Sequence, residues 1–527
     1  MKPGEVAHSV TRGAFYLAIE KATALLSGVA YFAILLRWMG PTKYGMMALA
    51  LPFVGLATSA TGNLEVFLER YSAEYLARNA LHTLRKAHVL ALLIKLALGV
   101  VAGTVVAWLA PFLARQFHIP ELAMLLPILV PIITFDGFST TGRATLYGLQ
   151  RFRALSGIAV ATHVVKIVML ALLWSARQGI EALAIALAAL TVVQGLVTAL
   201  VPLWQLRGDV QDGPEAGPTP SRSTLMRSML AYCTPLLGAR LTFLSGQNLG
   251  KIVLGKLYDP HLLGYFSFAF QTVERFVELA QTLPSALLPS FTHLVARGER
   301  ERYRYIFDQA LRLIQVVACA LTFGLFTFAR EITLIVGSPL FAPAIPLLRI
   351  LALVPMVRTA QQPLTMLFQA MRLPGTVLRL ALLKFGIEFG CYFLLLPSLG
   401  MTGAAVANVA GAVVSYVAAL VMMDRILPDG ARERMRIAGM TVALMAPLLG
   451  LSALLYLLPL GPAGLILRIA LVPLALVGVF AIGLVNDYDV LKLSSLPVRS
   501  AAPRWARDFA VAVAGRLVRA FEPRRAA

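Results

Sequence analysis

Long apolar runs alternate with short polar segments along almost the whole chain. About fourteen of these runs reach the roughly 20 residues that a helix needs to cross a bilayer. The first run covers residues 13–36 and the last covers residues 464–486. A helix satisfies its own backbone hydrogen bonds, which suits it to a hydrocarbon environment. The pattern therefore predicts an all-α, polytopic membrane protein with about fourteen transmembrane helices.

One interior stretch departs from this pattern. Residues 207–227 hold almost no large apolar side chain and are rich in Gly, Pro, Ser and acidic residues, which is typical of a linker. This linker separates an N-terminal six-helix lobe, residues 1–206, from a C-terminal six-helix lobe, residues 228–426. Two additional transmembrane helices are predicted in residues 427–486, and residues 487–527 form a tail.

Several motifs of the first lobe recur in the second lobe about 220 residues later. Each motif alone is weak evidence, because Gly and Pro are common at helix ends. Their nearly constant spacing predicts two halves of the same topological direction, related by a pseudo-two-fold repeat. The corresponding positions are Pro41 and Pro260, Gly45 and Gly264, residues 146–151 and 367–372, and Gly179 and Gly400.

Basic side chains are unevenly distributed among the loops. The chain carries a net charge of +21, although only 14% of its residues are charged and 58% are hydrophobic. Arg and Lys concentrate in the loop around residues 70–86 and in alternate loops after it, which the positive-inside rule places in the cytoplasm. An even number of spans then places both termini there as well. The positive charge therefore indicates membrane orientation, and we predict no nucleic acid partner.

The tail has a different pattern from the spans. Large apolar residues recur every four positions from Trp505 to Phe521, with Arg504 just before them and three further arginines between them. This spacing predicts a basic amphipathic helix on the cytoplasmic leaflet. The alternative is a solvated tail.

The sequence shows none of the common motifs for nucleotide binding, zinc binding or nucleophilic catalysis. The chain has no Walker loop, dinucleotide fingerprint, zinc motif or nucleophile elbow. Its three cysteines and seven histidines show no metal-ligand spacing. We predict no catalytic residue, no metal and no cofactor, and therefore a protein that is not an enzyme. The first span lacks a small-residue cleavage site, so we read it as uncleaved.

Charged residues inside the spans are the strongest functional signal. A charge at mid-bilayer costs at least about 2.5–3.5 kcal/mol on insertion scales, so such residues face protein or a water-filled cavity. In four spans they form stripes at helical spacing, which predicts a hydrophilic cavity between the lobes. The cations could bind an anion such as phosphate, and the carboxylates could balance them or carry a coupling proton or sodium ion. The predicted substrate-binding residues are Arg240, Lys251, Arg275, Arg358 and Lys21, and the predicted ion-coupling residues are Glu20, Glu274 and Glu278.

A structural role is the alternative for every such residue, because ion pairs and hydrogen bonds also hold helices together. We favour this role for the pair Lys384–Glu388 and for Asp136 with Arg143, which align on their helices. His163 and Lys166 lie near the middle of a span and could be buried pairing groups.

Three motifs resemble those of a known family. Residues 36–45, LRWMGPTKYG, resemble the LGPxxYG signature after the first span of polysaccharide flippases, and residues 254–265 resemble its counterpart in the second half. Residues 146–152, LYGLQRF, resemble the xxGxxRF stretch after the fourth span. Over roughly residues 1–425 the chain is similar to Wzx-type O-antigen and exopolysaccharide flippases of the MOP superfamily, which are related to the lipid II flippase MurJ and to MATE exporters.

This resemblance implies a fold and an activity. Two six-helix bundles would form a V around a central cavity. Alternating access would move an undecaprenyl-diphosphate-linked oligosaccharide from the cytoplasmic to the periplasmic leaflet of the bacterial inner membrane, for O-antigen, capsule or exopolysaccharide assembly. Expected partners are membrane lipids, a polysaccharide polymerase and a chain-length regulator. Many relatives carry an acidic residue before the basic residue of the seventh span, whereas Gly250 precedes Lys251 here.

Three other functions stay open at this point. A lipid II flippase would share the fold and the anionic headgroup. A MATE-type exporter of cationic drugs would need an acidic cavity, which the predicted arginines disfavour. A membrane glycosyltransferase or polymerase would need acidic catalytic or metal-binding residues in a sizeable loop, and the external loops here are short and poor in Asp and Glu.

Overall fold

The computed structural model describes most of the chain as helices. The described residues are 3–78, 80–206, 220–285, 287–458, 461–482 and 484. The predicted tail helix and residues 207–219 of the predicted linker lie outside this part. All regular elements within it are helical, so the all-α prediction is confirmed.

Sixteen α-helices follow one another in the described part of the chain. Short π and 3₁₀ segments, Thr333–Gly337 and Pro339–Ala344, separate α11 from α12, and a 3₁₀ turn, Pro428–Gly430, precedes α15. The α-helices are α1 Pro3–Ala60, α2 Leu64–Ala77, α3 Leu81–Phe117, α4 Leu122–Gly148, α5 Phe152–Ser175, α6 Ile180–Gln205, α7 Arg222–Leu257, α8 Pro260–Ser285, α9 Leu287–Ala296, α10 Arg300–Thr327, α11 Ala329–Ile332, α12 Ile345–Leu351, α13 Val354–Ala370, α14 Pro374–Ile426, α15 Ala431–Leu457 and α16 Gly461–Ala481.

Nine helices of the described part are long and apolar enough to cross a membrane, or ten if the bent pair formed by α12 with its 3₁₀ segment and α13 is one span. The predicted number of fourteen stays a prediction. The difference between nine or ten long helices and fourteen predicted spans has one clear origin. Each of the helices α1 and α14 contains a non-helical glycine, Gly40 (φ 66°) and Gly400 (φ 57°). Each of these glycines lies between two of the predicted spans.

The helices α7 and α8 are 36 and 26 residues long but are not among these nine. Both carry the charged stripes that the sequence pattern singled out. Polar side chains lower their hydropathy, so length alone does not identify them as spans.

Compact packing divides the chain into two units. Unit 1 comprises Met1–Ser267 and Ile335–Phe341, and unit 2 comprises Phe268–Leu334 and Ala342–Ala527. This division differs from the predicted lobe boundary at residue 228, because α7 packs within the first unit. The helix α7 also begins earlier than expected: Ser221 caps it by accepting a hydrogen bond from the backbone N–H of Thr224 at 3.2 Å, inside the predicted linker.

The predicted repeat is visible in the turns that follow α4 and α13. Gln150 and Arg372 adopt the same left-handed conformation, with φ of 57° and 58°. In both turns a backbone N–H reaches back five residues, from Arg151 to Leu146 and from Leu373 to Phe368, each at 2.9 Å. This is the Schellman pattern that ends helices. The two turns therefore have the same conformation. The offset between Gln150 and Arg372 is one residue larger than the offset between the sequence motifs.

A second repeated motif forms a close helix crossing within unit 1. A Cβ added at Gly45 would lie 1.8 Å from the carbonyl oxygen of Pro260, and one added at Gly264 would lie 2.0 Å from that of Pro41. The contact is reciprocal, since each glycine meets the proline of the other motif. Glycine is required at both positions because a side chain cannot fit between the two backbones.

The two C-terminal helices α15 and α16 are joined to unit 2 by buried arginines. Arg434 of α15 is 1% exposed and pairs with Asp424 at 2.6 Å and with Asp308 of α10 at 3.3 Å. Arg468 of α16 is 4% exposed and pairs with Glu331 at 3.0 Å. A buried arginine is tolerated when its donors meet acceptors, so these contacts fix where α15 and α16 pack.

Candidate functional site

A basic cavity lies in unit 1 between α5 and α6. Its volume is about 140 Å³. The α5 wall carries Thr162, His163 and Lys166, and the α6 wall carries Thr191 and Gln194 at the same helical spacing. Residues three and four apart share a helix face, so two polar faces meet here inside apolar helices.

Arg143 of α4 reaches this cavity and is held by α1. Its Nη2 atom lies 2.5 Å from Oε1 of Glu20, whose side chain is only 8% exposed. The predicted pairing of Arg143 with Asp136 on the same helix stays a prediction, and the structure shows a pair between Arg143 and a second helix. A charge-assisted contact of this kind fixes the guanidinium at the cavity wall.

Lys166 points towards α1 as well. Its Nζ atom lies 4.0 Å from the centre of the Tyr31 ring, a cation–π contact. On α6, Gln194 donates to the hydroxyl of Ser139 at 3.3 Å. Lys166 and Gln194 of the cavity walls are thus oriented by contacts with neighbouring helices.

The cavity is suited to an anion. Arg143 and Lys166 line it together with His163 and neutral hydrogen-bonding groups, and no carboxylate is among its lining residues. Both cations lie in helices that are candidate membrane spans, where a charge is costly unless it has a partner or a ligand. Among the described residues, no group of three His, Cys, Asp or Glu side chains is placed to hold a metal ion.

A second charged group in unit 1 was missed by the sequence reasoning. Lys95 of α3 is 2% exposed and pairs with Glu65 at 3.1 Å. It also donates to the hydroxyl of Thr61 at 3.3 Å and to the carbonyl of Gly62, at the break between α1 and α2. A cation stabilises helix carbonyls left without partners. A lysine near the middle of the third apolar run was the signal that could have revealed it.

The structure pairs most of the predicted site residues of unit 2 with each other. Arg358 of α13 is hydrogen-bonded to Glu274 of α8, and both side chains are largely buried, 15% and 12% exposed. Arg275 pairs with Glu278 at 3.0 Å, but both are more than half exposed. Of these two pairs, only Glu274–Arg358 is shielded from solvent.

The predicted structural pair Lys384–Glu388 is confirmed, at 3.4 Å. Glu388 also accepts hydrogen bonds from Tyr392 at 3.1 Å and from Asn408 at 2.6 Å. This group, centred on the buried Glu388, connects the two halves of α14 on either side of Gly400. Its carboxylate is surrounded by donors, which fits the structural role expected for it.

The remaining predicted residues lie apart from the basic cavity's lining. Lys251 is buried, 7% exposed, and Lys21 is exposed. The side chain of Arg240 lies outside the described part of the chain. The lining residues Arg143, His163 and Lys166 were instead expected to serve as structural pairing groups.

Solved structures share this fold. A multidrug resistance MATE family transporter of the MOP superfamily in an inward-facing conformation superposes with a TM-score of 0.64 at 16% identity, over 81% of this chain and 98% of that chain. The lipid II flippase MurJ in an inward closed conformation superposes with a TM-score of 0.55 at 13% identity, over 88% of this chain and 98% of that chain. At these identities the likeness concerns the fold.

Comparisons by sequence also identify a relative and a family. The chain is 24% identical over 446 residues to stage V sporulation protein B of Bacillus subtilis (strain 168), covering 79% of this chain and 84% of the relative. Residues 34–346 match the family described as polysaccharide biosynthesis protein, which is more than half of the chain. The chain therefore belongs to the polysaccharide biosynthesis protein family, and it is a multi-pass membrane protein with the fold of the MOP superfamily.

Proposed function

We propose that this protein is a flippase for an undecaprenyl-diphosphate-linked oligosaccharide, which it moves from the cytoplasmic to the periplasmic leaflet by alternating access. The observation that supports this proposal is the basic cavity inside unit 1 of a polysaccharide biosynthesis family member. A diphosphate is the anionic group that a lipid-linked oligosaccharide must bring across the hydrocarbon layer. Fixed cations along the path lower the cost of that step.

The cavity assigns distinct roles to its side chains. The planar guanidinium of Arg143 matches two phosphate oxygens at once, while the ammonium of Lys166 acts as a point charge. Gln194 and Thr162 offer neutral hydrogen bonds that do not depend on charge. The sugar and the polyprenyl chain lie beyond this site, since a cavity of about 140 Å³ holds little more than the headgroup phosphates.

Glu20 is the proposed switch of this site. Its carboxylate pairs with Arg143 at 2.5 Å. A phosphate that takes over the guanidinium would leave the Glu20 carboxylate without this partner inside a span, which is the exchange that we propose for coupling. The pair Glu274–Arg358 of unit 2 is a second pair for which we propose a coupling role, although it does not occupy the corresponding repeat positions. A coupling role for Glu278 stays a prediction, as do substrate-binding roles for Arg240, Lys251, Arg275 and Lys21.

The proposal includes a location and partners. The protein would lie in the bacterial inner membrane with both termini in the cytoplasm, as the distribution of Arg and Lys among the loops predicts. A polysaccharide polymerase and a chain-length regulator would receive its product on the periplasmic side.

The test uses a strain that lacks the gene and carries plasmid-borne variants. We expect Lys166→Met to abolish surface polysaccharide and to cause accumulation of the undecaprenyl-diphosphate-linked repeat, with unchanged protein level in the membrane. Arg330→Gln, an exposed residue, is the matched control and should export normally. If the deletion strain instead accumulates lipid II, the assigned substrate is wrong. If Lys166→Met exports at the control rate, the cavity is not the binding site.

A further inference from the structure

A second polar cavity lies in unit 2 between α10 and α15. Its volume is about 180 Å³. The α10 wall carries Arg304, Tyr305, Gln309 and Arg312, and the α15 wall carries Glu433. None of these residues belongs to the basic cavity or to the proposed transport function, so the group requires its own explanation.

The depth of this cavity follows from helix length. The 28 residues of α10 extend about 42 Å at roughly 1.5 Å per residue, whereas the hydrocarbon core is about 30 Å thick. Roughly the first eight residues of α10 therefore lie at headgroup depth. Arg304 is among them, and Arg312 lies about two turns deeper than Arg304. The helix α15 begins at the same end, since Arg434 in its first turn reaches Asp308.

Both carboxylates of the cavity wall have arginine partners outside it. Asp308 pairs with the buried Arg434 at 3.3 Å, and Glu433 pairs with Arg436 at 3.5 Å. Arg304 pairs at 3.5 Å with Asp429, whose side chain is 61% exposed. Such an exposed pair contributes little and exchanges readily for another anion.

A chain of hydrogen bonds connects the depth of the cavity with its rim. Arg312, 9% exposed, donates from Nη2 to Oε1 of Gln309 at 3.2 Å. Gln309 then donates to the hydroxyl of Tyr305 at 3.0 Å, and Tyr305 is 51% exposed. The Tyr305 hydroxyl thus lies at the rim of the cavity. Arginines are suitable donors for phosphate oxygens.

The surface around the cavity is apolar and exposed. Leu313 of α10 is 40% exposed, and Met435 and Val442 of α15 are 70% and 55% exposed. In a membrane-spanning pair of helices these side chains face lipid. A ligand that fits both the polar cavity and the apolar surface around it has a charged phosphate and acyl chains. Free phosphate has no acyl chains.

The local charge favours an anionic lipid over a zwitterionic one. Residues 297–312 and 424–436 together contain nine arginines and six acidic residues. Basic pockets between transmembrane helices on the cytoplasmic side are known to bind acidic headgroups. We propose that the cavity between α10 and α15 binds the phosphate headgroup of an anionic phospholipid of the bilayer, with Arg304 and Arg312 as its donors.

The test measures lipid retention directly. The full-length protein, purified in a non-ionic detergent, is titrated with phosphatidylglycerol, phosphatidylcholine or inorganic phosphate and observed by native mass spectrometry. We expect one tightly retained phosphatidylglycerol, no retained phosphatidylcholine, and no displacement by inorganic phosphate. In Arg304→Gln/Arg312→Gln the affinity for phosphatidylglycerol should fall about tenfold or more, since two charge-assisted donors are lost.

The matched control is Arg297→Gln/Arg302→Gln, which removes two charges from exposed positions at the same helix end, 63% and 69% exposed. It should retain phosphatidylglycerol as the wild type does. Arg304→Gln alone serves if the double variant does not fold, and it should weaken retention several-fold. Equal losses in control and test variants, retention of both phospholipids alike, or displacement by inorganic phosphate would each overturn the proposal. Surface polysaccharide is not the readout, so a failed transport assignment leaves this result unaffected.

Discussion

The pair Glu20–Arg143 allows the structural part of the basic cavity to be separated from its role in transport. Arg143→Gln removes a guanidinium from the cavity and leaves the carboxylate of Glu20, 8% exposed, without its counter-ion. Breaking a buried pair from one side costs about 3–5 kcal/mol. Because 38% of the Arg143 side chain is exposed, water screens the pair, and we expect the free energy of unfolding to fall by roughly 2–3 kcal/mol.

The double variant Glu20→Gln/Arg143→Gln removes both charges. No carboxylate is then left without a counter-ion, and the two Gln side chains carry amides that can hydrogen-bond to each other. We expect its free energy of unfolding to lie within about 1 kcal/mol of the wild-type value. Transport should nevertheless remain lost, because the cavity still lacks the forked donor for phosphate.

Two measurements on each variant decide the question. Denaturant titration of the purified protein gives the free energy of unfolding, and surface polysaccharide normalised to membrane protein level gives export. A double variant that recovers both stability and export would contradict the transport role of Arg143, since Arg143 would then serve only to hold α1 against α4. A single variant as stable as the wild type would contradict the assigned ion pair.

Three further predictions concern the packing of the helices. Arg434→Met should lower the free energy of unfolding by about 3–5 kcal/mol because it strands two carboxylates, whereas Arg436→Gln, in an exposed pair, should cost less than about 1 kcal/mol in the same titration. Gly45→Ala should prevent stable folding or export because its Cβ would lie 1.8 Å from a backbone oxygen, whereas Gly28→Ala meets nothing within 4 Å and should behave as the wild type in a membrane expression assay. Lys95→Met should destabilise the protein by roughly 3–5 kcal/mol, and changing its carboxylate partner to the amide should restore most of that loss.

The fold was predictable from the sequence to the extent that it depends on local pattern. Apolar runs of the right length predicted the long helices of the described part, including α7 and α8, but not the short helices α2 and α9. The repeated motifs identified the corresponding turns after α4 and α13. The start of α7 could not be read from hydropathy, because Ser221 begins the helix by capping geometry within a polar stretch.

The candidate site was harder to predict because its residues come from four helices. Helical spacing shows which side chains share one face but not which faces meet. Arg143 aligns with Asp136 on its own helix, yet it pairs with Glu20, 123 residues away. The same limit explains why Glu274 and Arg358 were assigned to separate roles before the structure placed them together.

The repeat itself supports a functional role for the basic cavity. If the turns containing Gln150 and Arg372 set the register, Arg143 of unit 1 corresponds to Thr365 of unit 2, and Lys166 corresponds to Glu388. The same helix positions therefore carry a neutral hydroxyl and an acidic group in the second unit. The second unit builds these turns without a cation at either position. The turn itself does not explain the two cations of unit 1, and a phosphate that enters the cavity would exchange with their contacts to Glu20 and to the Tyr31 ring.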